Sequence, residues 1–193
     1  MKEQGKPFGT KEIAATALLL AICIASQLFK NLSVFITGPI VNTCIILTVL
    51  LVNLPCALAM SVITPVTAYF IAASPVMQAV PGIVPLIMLG NAVLAVAVHF
   101  LFKPTVMPED SIVNIKSVIT AIVSSCLKGV VMAVTISLWL LPRFIPAESP
   151  LYANLGKFQM TFSVIQLATA LIGFVYVFIL LIPIRRMMDN ASE

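Results

Sequence analysis

The sequence is short of charge. Only 9% of its 193 residues are Asp, Glu, Lys or Arg, against roughly 25% in an average soluble domain. So few charges cannot cover a soluble globule of this size, and the 61% of hydrophobic residues must face lipid. Histidine is scarcer still. His99 is the only one, too little for a clustered His/Cys metal site. The four cysteines, Cys23, Cys44, Cys56 and Cys126, all fall inside apolar runs without CxxC spacing, where a thiol serves as a small hydrophobe. No GxxxxGK[ST] stretch is present to cradle the phosphates of ATP. No Asp or Glu lies inside an apolar run to relay a proton or sodium ion, and a lone histidine without an acid makes no catalytic set. The expectation is a protein that is not an enzyme, needs no cofactor or metal, and has no business with nucleic acid.

What is present is apolar sequence in membrane-sized blocks. Spanning the bilayer core takes about 20 apolar residues, and six segments qualify. They run from Lys11 to about Phe29, Thr37 to Val52, Pro55 to Ala72, Gly82 to Phe102, Ser111 to Leu141, and Lys157 to about Ile184. The expected fold is therefore all-α, a single domain over residues 1–193 built as a bundle of six transmembrane helices in a lipid bilayer. Asn53 is placed to cap the third helix, with Pro55 in its first turn. Turn chemistry separates the blocks: Asn31, Ser33 and Gly38-Pro39; Ser74-Pro75 and Pro81-Gly82; Pro104 and Pro108 around Glu109-Asp110; and Pro142, Pro146 and Pro150. Lys2, Lys6 and Lys11 ahead of an apolar stretch imitate a signal peptide, and Leu20–Cys23 imitates a lipoprotein box. Ile22, however, stands where a small residue is needed, so this segment is expected to remain as the first helix.

With the N-terminus in the cytoplasm, six spans put the C-terminus there too. The inner segments then carry Lys2, Lys6, Lys11, Lys103, Lys116, Arg185 and Arg186, and the outer ones Lys30, Arg143 and Lys157. That is the bias of the positive-inside rule. The remaining basic residue, Lys128, sits inside the fifth span, 13 residues from Leu141. This is about 20 Å along a helix, beyond easy snorkelling. An ionisable side chain at that depth costs at least a few kcal/mol and marks a functional site by default.

Lys128 has polar company. Ser117, Thr120, Ser124, Lys128 and Thr135 recur at helical spacing along the fifth span, and Gln159, Ser163, Gln166, Thr169, Gly173 and Tyr176 along the sixth. Asn42, Asn91, Gln166, Thr67 and Tyr69 all fall toward the end of the bundle away from the N-terminus, and the first span ends with Ser26 and Gln27. Single hydroxyls and amides also serve merely to join helices. The convergence of Asn42, Asn91, Lys128 and Gln166 points instead to a polar cavity opening outward. The expected binding set is Lys128, Asn91, Asn42, Gln166, Ser124, Thr169, Gln78 and Tyr69, with Gln78 in a capping loop. Because no carboxylate accompanies Lys128 within the spans, the ligand is expected to bring the anion.

The first helix carries small residues every four positions, Ala17, Ala21 and Ala25, a spacing that admits a second helix at close range. Taken with the segments FITGPIVNT at 35–43, PLIMLGNAVL at 85–94 and FSVIQLATALIG at 162–173, the chain resembles the S-components of energy-coupling factor (ECF) vitamin transporters over nearly its whole length. The resemblance implies a subunit in the plasma membrane of a prokaryote, with both termini cytoplasmic, that binds a vitamin or related micronutrient from outside. It implies docking through Ala17, Ala21 and Ala25 onto a membrane coupling subunit driven by two cytoplasmic ATPases, and toppling in the membrane to release the ligand inside. S-components for flat ring vitamins often stack aromatic side chains on them, and here Trp139 is the only tryptophan and Tyr69, Tyr152 and Tyr176 the only tyrosines. With Lys128 this favours an anionic, less aromatic compound such as pantothenate. Biotin, lipoate, niacin and a pyridoxine-like compound stay open, as do a structural subunit without a ligand and a small stand-alone channel or secondary transporter.

Overall fold

A backbone in lipid must satisfy its own N–H and C=O groups, and uninterrupted apolar sequence does so here as helix. The computed structural model describes residues 8–29, 34–107 and 112–190, with side chains described up to 187. The expected turn residues Asn31, Ser33, Pro108, Glu109 and Asp110, together with Lys2, Lys6, Lys30 and Ser111, lie outside the described residues. Among the described residues there is no strand. The elements are α1 (Thr10–Gln27), α2 (Val34–Val52), α3 (Leu54–Ala72), the short α4 (Pro75–Ala79), α5 (Ile83–Val106), α6 (Ile115–Phe144), α7 (Leu155–Thr161) and α8 (Val164–Asn190). Six apolar stretches, with α7 and α8 together forming the sixth, are long enough to cross a membrane.

The helix ends follow their local chemistry. Asn53 Oδ1 accepts from the Cys56 backbone N–H at 2.9 Å, capping α3 with Pro55 in the first turn, as its spacing predicts. Asn114 and Ser117 form a reciprocal capping box at the start of α6, at 2.7 and 3.0 Å. Ser117 is thus part of a helix start rather than of a ligand stripe. The fourth span runs past the expected Phe102 to Val106. There Arg185 donates from Nη2 to the carbonyls of Val106 and Met107, both at 2.7 Å, and Lys103 donates to the Val49 carbonyl at 2.9 Å. The sixth span is interrupted at Phe162–Ser163. The expected continuous polar face from Gln159 to Tyr176 is therefore split. Gln159 instead binds α6, its Nε2 donating to the Ser137 carbonyl at 2.9 Å while Ser137 Oγ donates to the Gln159 carbonyl at 2.8 Å.

The six spans close into a ring. α1 packs on α2 and α3, α2 on α8, α8 on α6, α6 on α5, and α5 on α3. One end is filled by Cys23, Cys44, Ile45, Ile46, Phe102, Phe174, Val177 and their neighbours, and the rings of Phe102 and Phe174 meet edge to face with centroids 4.9 Å apart. The other end holds a second apolar cluster around Val76, Ile83, Met132, Ile136 and Phe162, beneath α4 and α7. The outside is apolar as well: Leu18, Phe70, Phe100, Ile115 and Leu138 are each at least 65% exposed. Meanwhile Gln27, Asn42, Thr64, Asn91, Ser124, Lys128 and Thr169 are buried. An apolar outside, with the polar side chains gathered inside, is the arrangement of a protein whose solvent is lipid, and the chain is a multi-pass membrane protein.

The α2–α8 contact is a close one. A Cβ at Gly173 would stand 2.9 Å from Asn42 Cβ and 3.3 Å from the Pro39 carbonyl oxygen, whereas one at Gly156 would meet nothing within 4 Å. Gly173→Val is therefore expected to cost about 1–3 kcal/mol by overpacking, seen as a lower melting temperature in detergent. Gly156→Val should leave the melt near wild type.

Candidate functional site

Lys128 lies on α6 with 2% of its surface exposed. Its Nζ donates to Asn42 Oδ1 of α2 at 2.5 Å and to Asn91 Oδ1 of α5 at 2.8 Å. Close helix approach makes this possible. A Cβ at Gly90 would lie 2.6 Å from Met132 Cγ, so the missing side chain lets α5 and α6 touch and brings the neighbouring Asn91 within reach of the lysine. Asn42 is held from its other side, its Nδ2 donating to Thr169 Oγ1 at 3.4 Å. Thr169 Oγ1 donates in turn to the Gln166 carbonyl at 3.1 Å. The acids with described side chains, Glu12 and Glu148, sit at the start of α1 and in the loop after α6, and neither lines the cavity described next. The lysine is thus held by two neutral oxygens and no carboxylate.

The Lys128 side chain, with Asn42 and Asn91, forms part of the wall of a cavity of about 310 Å³, at the small end of ligand pockets, which run roughly 300–1,000 Å³. The rest of the wall comes from the last turn of α1 (Gln27), the start of α2 (Val34, Thr37, Gly38, Val41), the later part of α3 (Thr64, Pro65, Ala68), the α3–α4 region (Ser74, Met77), Ile87 of α5, and the broken segment at Thr161, Phe162 and Gln166. Every one of these elements contributes its portion nearest the loops α1–α2, α3–α5 and α6–α7. The cavity therefore belongs to one end of the bundle, the end away from Lys11, Lys103, Lys116, Arg185 and Arg186.

Of the residues expected at the site, Lys128, Asn42, Asn91 and Gln166 come together in the cavity wall. Thr169 stands behind it, orienting Asn42. Ser124 is buried and donates to the Thr120 carbonyl at 2.7 Å, outside the wall. Gln78 is exposed on α4, its Nε2 3.4 Å from the Ala73 carbonyl, and the same loop reaches the cavity through Ser74 and Met77 instead. Tyr69 packs beside the second apolar cluster, against Phe70, and does not line the cavity. Gln27, at the end of the first span, and Thr64 of α3 line the cavity without having been expected there. Gln27 Nε2 donates to the Thr64 carbonyl at 3.0 Å, which ties α1 to α3 at the cavity. Among the described residues no three His, Cys, Asp or Glu gather where they could hold a metal ion.

If the two amides carry the lysine, their loss should cost more than the loss of the lysine itself. Asn42→Leu leaves a buried ammonium short of a partner and should destabilise by about 1–3 kcal/mol. Lys128→Met, which removes the charge and leaves the amides beside a cavity that can admit water, should cost less. Adding Lys128→Met to Asn42→Leu should restore part of the loss. Thermal unfolding of the purified single and double variants checks the order. An Asn42→Leu penalty of the same size in the K128M background would contradict it.

Compared with models of known protein families, with curated proteins and with solved structures, the chain matches none.

Proposed function

We propose that the protein is the substrate-binding subunit of an ATP-driven importer of the ECF type, and that it captures a small anionic micronutrient in the cavity beside Lys128. The observation that carries this is a buried lysine with two neutral partners and, among the described residues, no carboxylate, in the wall of a cavity of ligand size. An intramembrane cation costs stability unless an anion answers it, and a carboxylate or phosphate on the ligand is that anion. A structural subunit would instead interlock its polar stripes and leave no such space.

The direction of capture rests on charge. Among the described residues, Lys11, Lys103, Lys116, Arg185 and Arg186 belong to the end remote from the cavity, and Arg143 and Lys157 to the cavity end. The positive-inside rule puts the remote end and both termini in the cytoplasm and opens the cavity outward, in the plasma membrane of a prokaryote. Partnership with a membrane coupling subunit rests on α1. Ala17, Ala21 and Ala25 are exposed on its outer surface, where small side chains let another helix come close. The ATP hydrolysis that this chain has no motif for would come from two cytoplasmic ATPases attached to that subunit.

The test separates the two surfaces. The purified protein is titrated with pantothenate, biotin, lipoate, nicotinate and pyridoxine. The acid that binds is expected to lose at least about 30-fold in affinity in Lys128→Met, since a desolvated charge contact is worth roughly 2–5 kcal/mol. Ala21→Trp should leave that affinity unchanged but abolish ATP-dependent uptake in cells that carry the coupling subunit and ATPases. Full affinity in Lys128→Met would overturn the site, and uptake unaffected by Ala21→Trp would overturn the docking face.

A further inference from the structure

The cavity has a second polar feature that Lys128 does not satisfy. Gln27 is 3% exposed and lines the same space. Its Nε2 donates to the Thr64 carbonyl at 3.0 Å, which fixes the orientation of the amide, because a flipped Gln27 would set two carbonyl-type oxygens against each other. Among the described residues, Oε1 is thereby left buried with no hydrogen-bond partner. A buried amide oxygen without a partner is costly, and nearly all such atoms in proteins are paired. The other buried amides of the wall are engaged: Asn42 and Asn91 accept from Lys128, and Asn42 also donates to Thr169.

We infer that Gln27 is a specificity-determining residue whose Oε1 accepts a hydrogen bond from an O–H or N–H group of the ligand, so that the ligand carries an anionic group for Lys128 and a separate donor for Gln27. This rests on the anion-binding role proposed for Lys128. The two poles come from different parts of the ring, α1 and α6. The rest of the lining includes Val41, Pro65, Ala68 and Ile87, which suits an apolar portion of the ligand. At roughly 30 Å³ per water the space equals about ten waters, which suits a compact ligand. A simple fatty acid or an acid with an apolar far end satisfies Lys128 and leaves Gln27 as it stands. An uncharged polyol does the reverse.

The prediction concerns a ratio of affinities, which a general loss of stability does not move. The probes are biotin and pantothenate (an acid and donors), lipoate and octanoate (an acid without a second donor), and pantothenol (donors without the acid). For the wild-type protein, the better of biotin and pantothenate is expected to bind at least about tenfold tighter than lipoate or octanoate. Gln27→Met, which keeps the length of the side chain but has no amide oxygen, should bring that ratio to within about twofold. Thermal unfolding of the same variant reports separately on loss of the Gln27–Thr64 bond. Equal binding of acids with and without a donor, or an unchanged ratio in Gln27→Met, would overturn the role of Gln27. In that event, binding that is still abolished by Lys128→Met leaves the anion site standing. If no acid binds, or if pantothenol binds as well as pantothenate, the anion site fails and the Gln27 assignment falls with it.

Discussion

One lysine inside a membrane helix sets the terms for the rest of the bundle. Lys128 is buried, and among the described residues no carboxylate lies beside it. What it has are two amide oxygens, one from each of two other spans. Those three side chains tie α2, α5 and α6 together at one depth, and the glycine beside Asn91 is what lets α5 come close enough. Asn42 is also oriented by Thr169 on α8, and Gly173 lets α8 lie close to α2.

The two ends of the ring differ in what fills them. Toward the chain termini, aromatic and branched side chains close the interior, and basic residues bind backbone carbonyls at the rim. Toward the loops, a second apolar cluster lies beside a cavity whose largely apolar wall carries Lys128 and a few amides and hydroxyls. Buried polar groups bordering such a space are costly unless something pairs with them. The interruption of the sixth span at Phe162–Ser163 falls at this open end, where irregular backbone is tolerated because it borders a cavity rather than lipid. α7, on the far side of that break, is held to α6 by the reciprocal pair of Ser137 and Gln159.

Much of this could be read in the sequence, for identifiable reasons. Six apolar blocks announce six spans because lipid admits little else. Lys128, Asn42, Asn91 and Gln166 stand out because each is expensive in such a block, and the cavity wall contains all four. Ser124 and Tyr69 are less telling. A hydroxyl can bond the carbonyl one turn back, as Ser124 does, and a tyrosine can lie at an apolar edge. Helical periodicity assumes an unbroken helix, so Gln159 seemed to share a face with Gln166 until the break at Phe162–Ser163 turned it toward α6. Gln27 escaped because a glutamine in the last turn of a helix is unremarkable. Only its packing against Thr64 shows that one half of its amide is used and the other is not.

On the function proposed, the space beside Lys128 holds a small anion. Native mass spectrometry of the protein, purified gently in detergent from cells grown in rich medium, would detect it. One compound of vitamin size is expected, bound at near-equimolar amount, carrying an acidic group, and absent from the Lys128→Met protein purified in the same way. A protein that emerges empty and stays empty after incubation with the vitamin panel would contradict it, and so would a neutral compound retained equally by both.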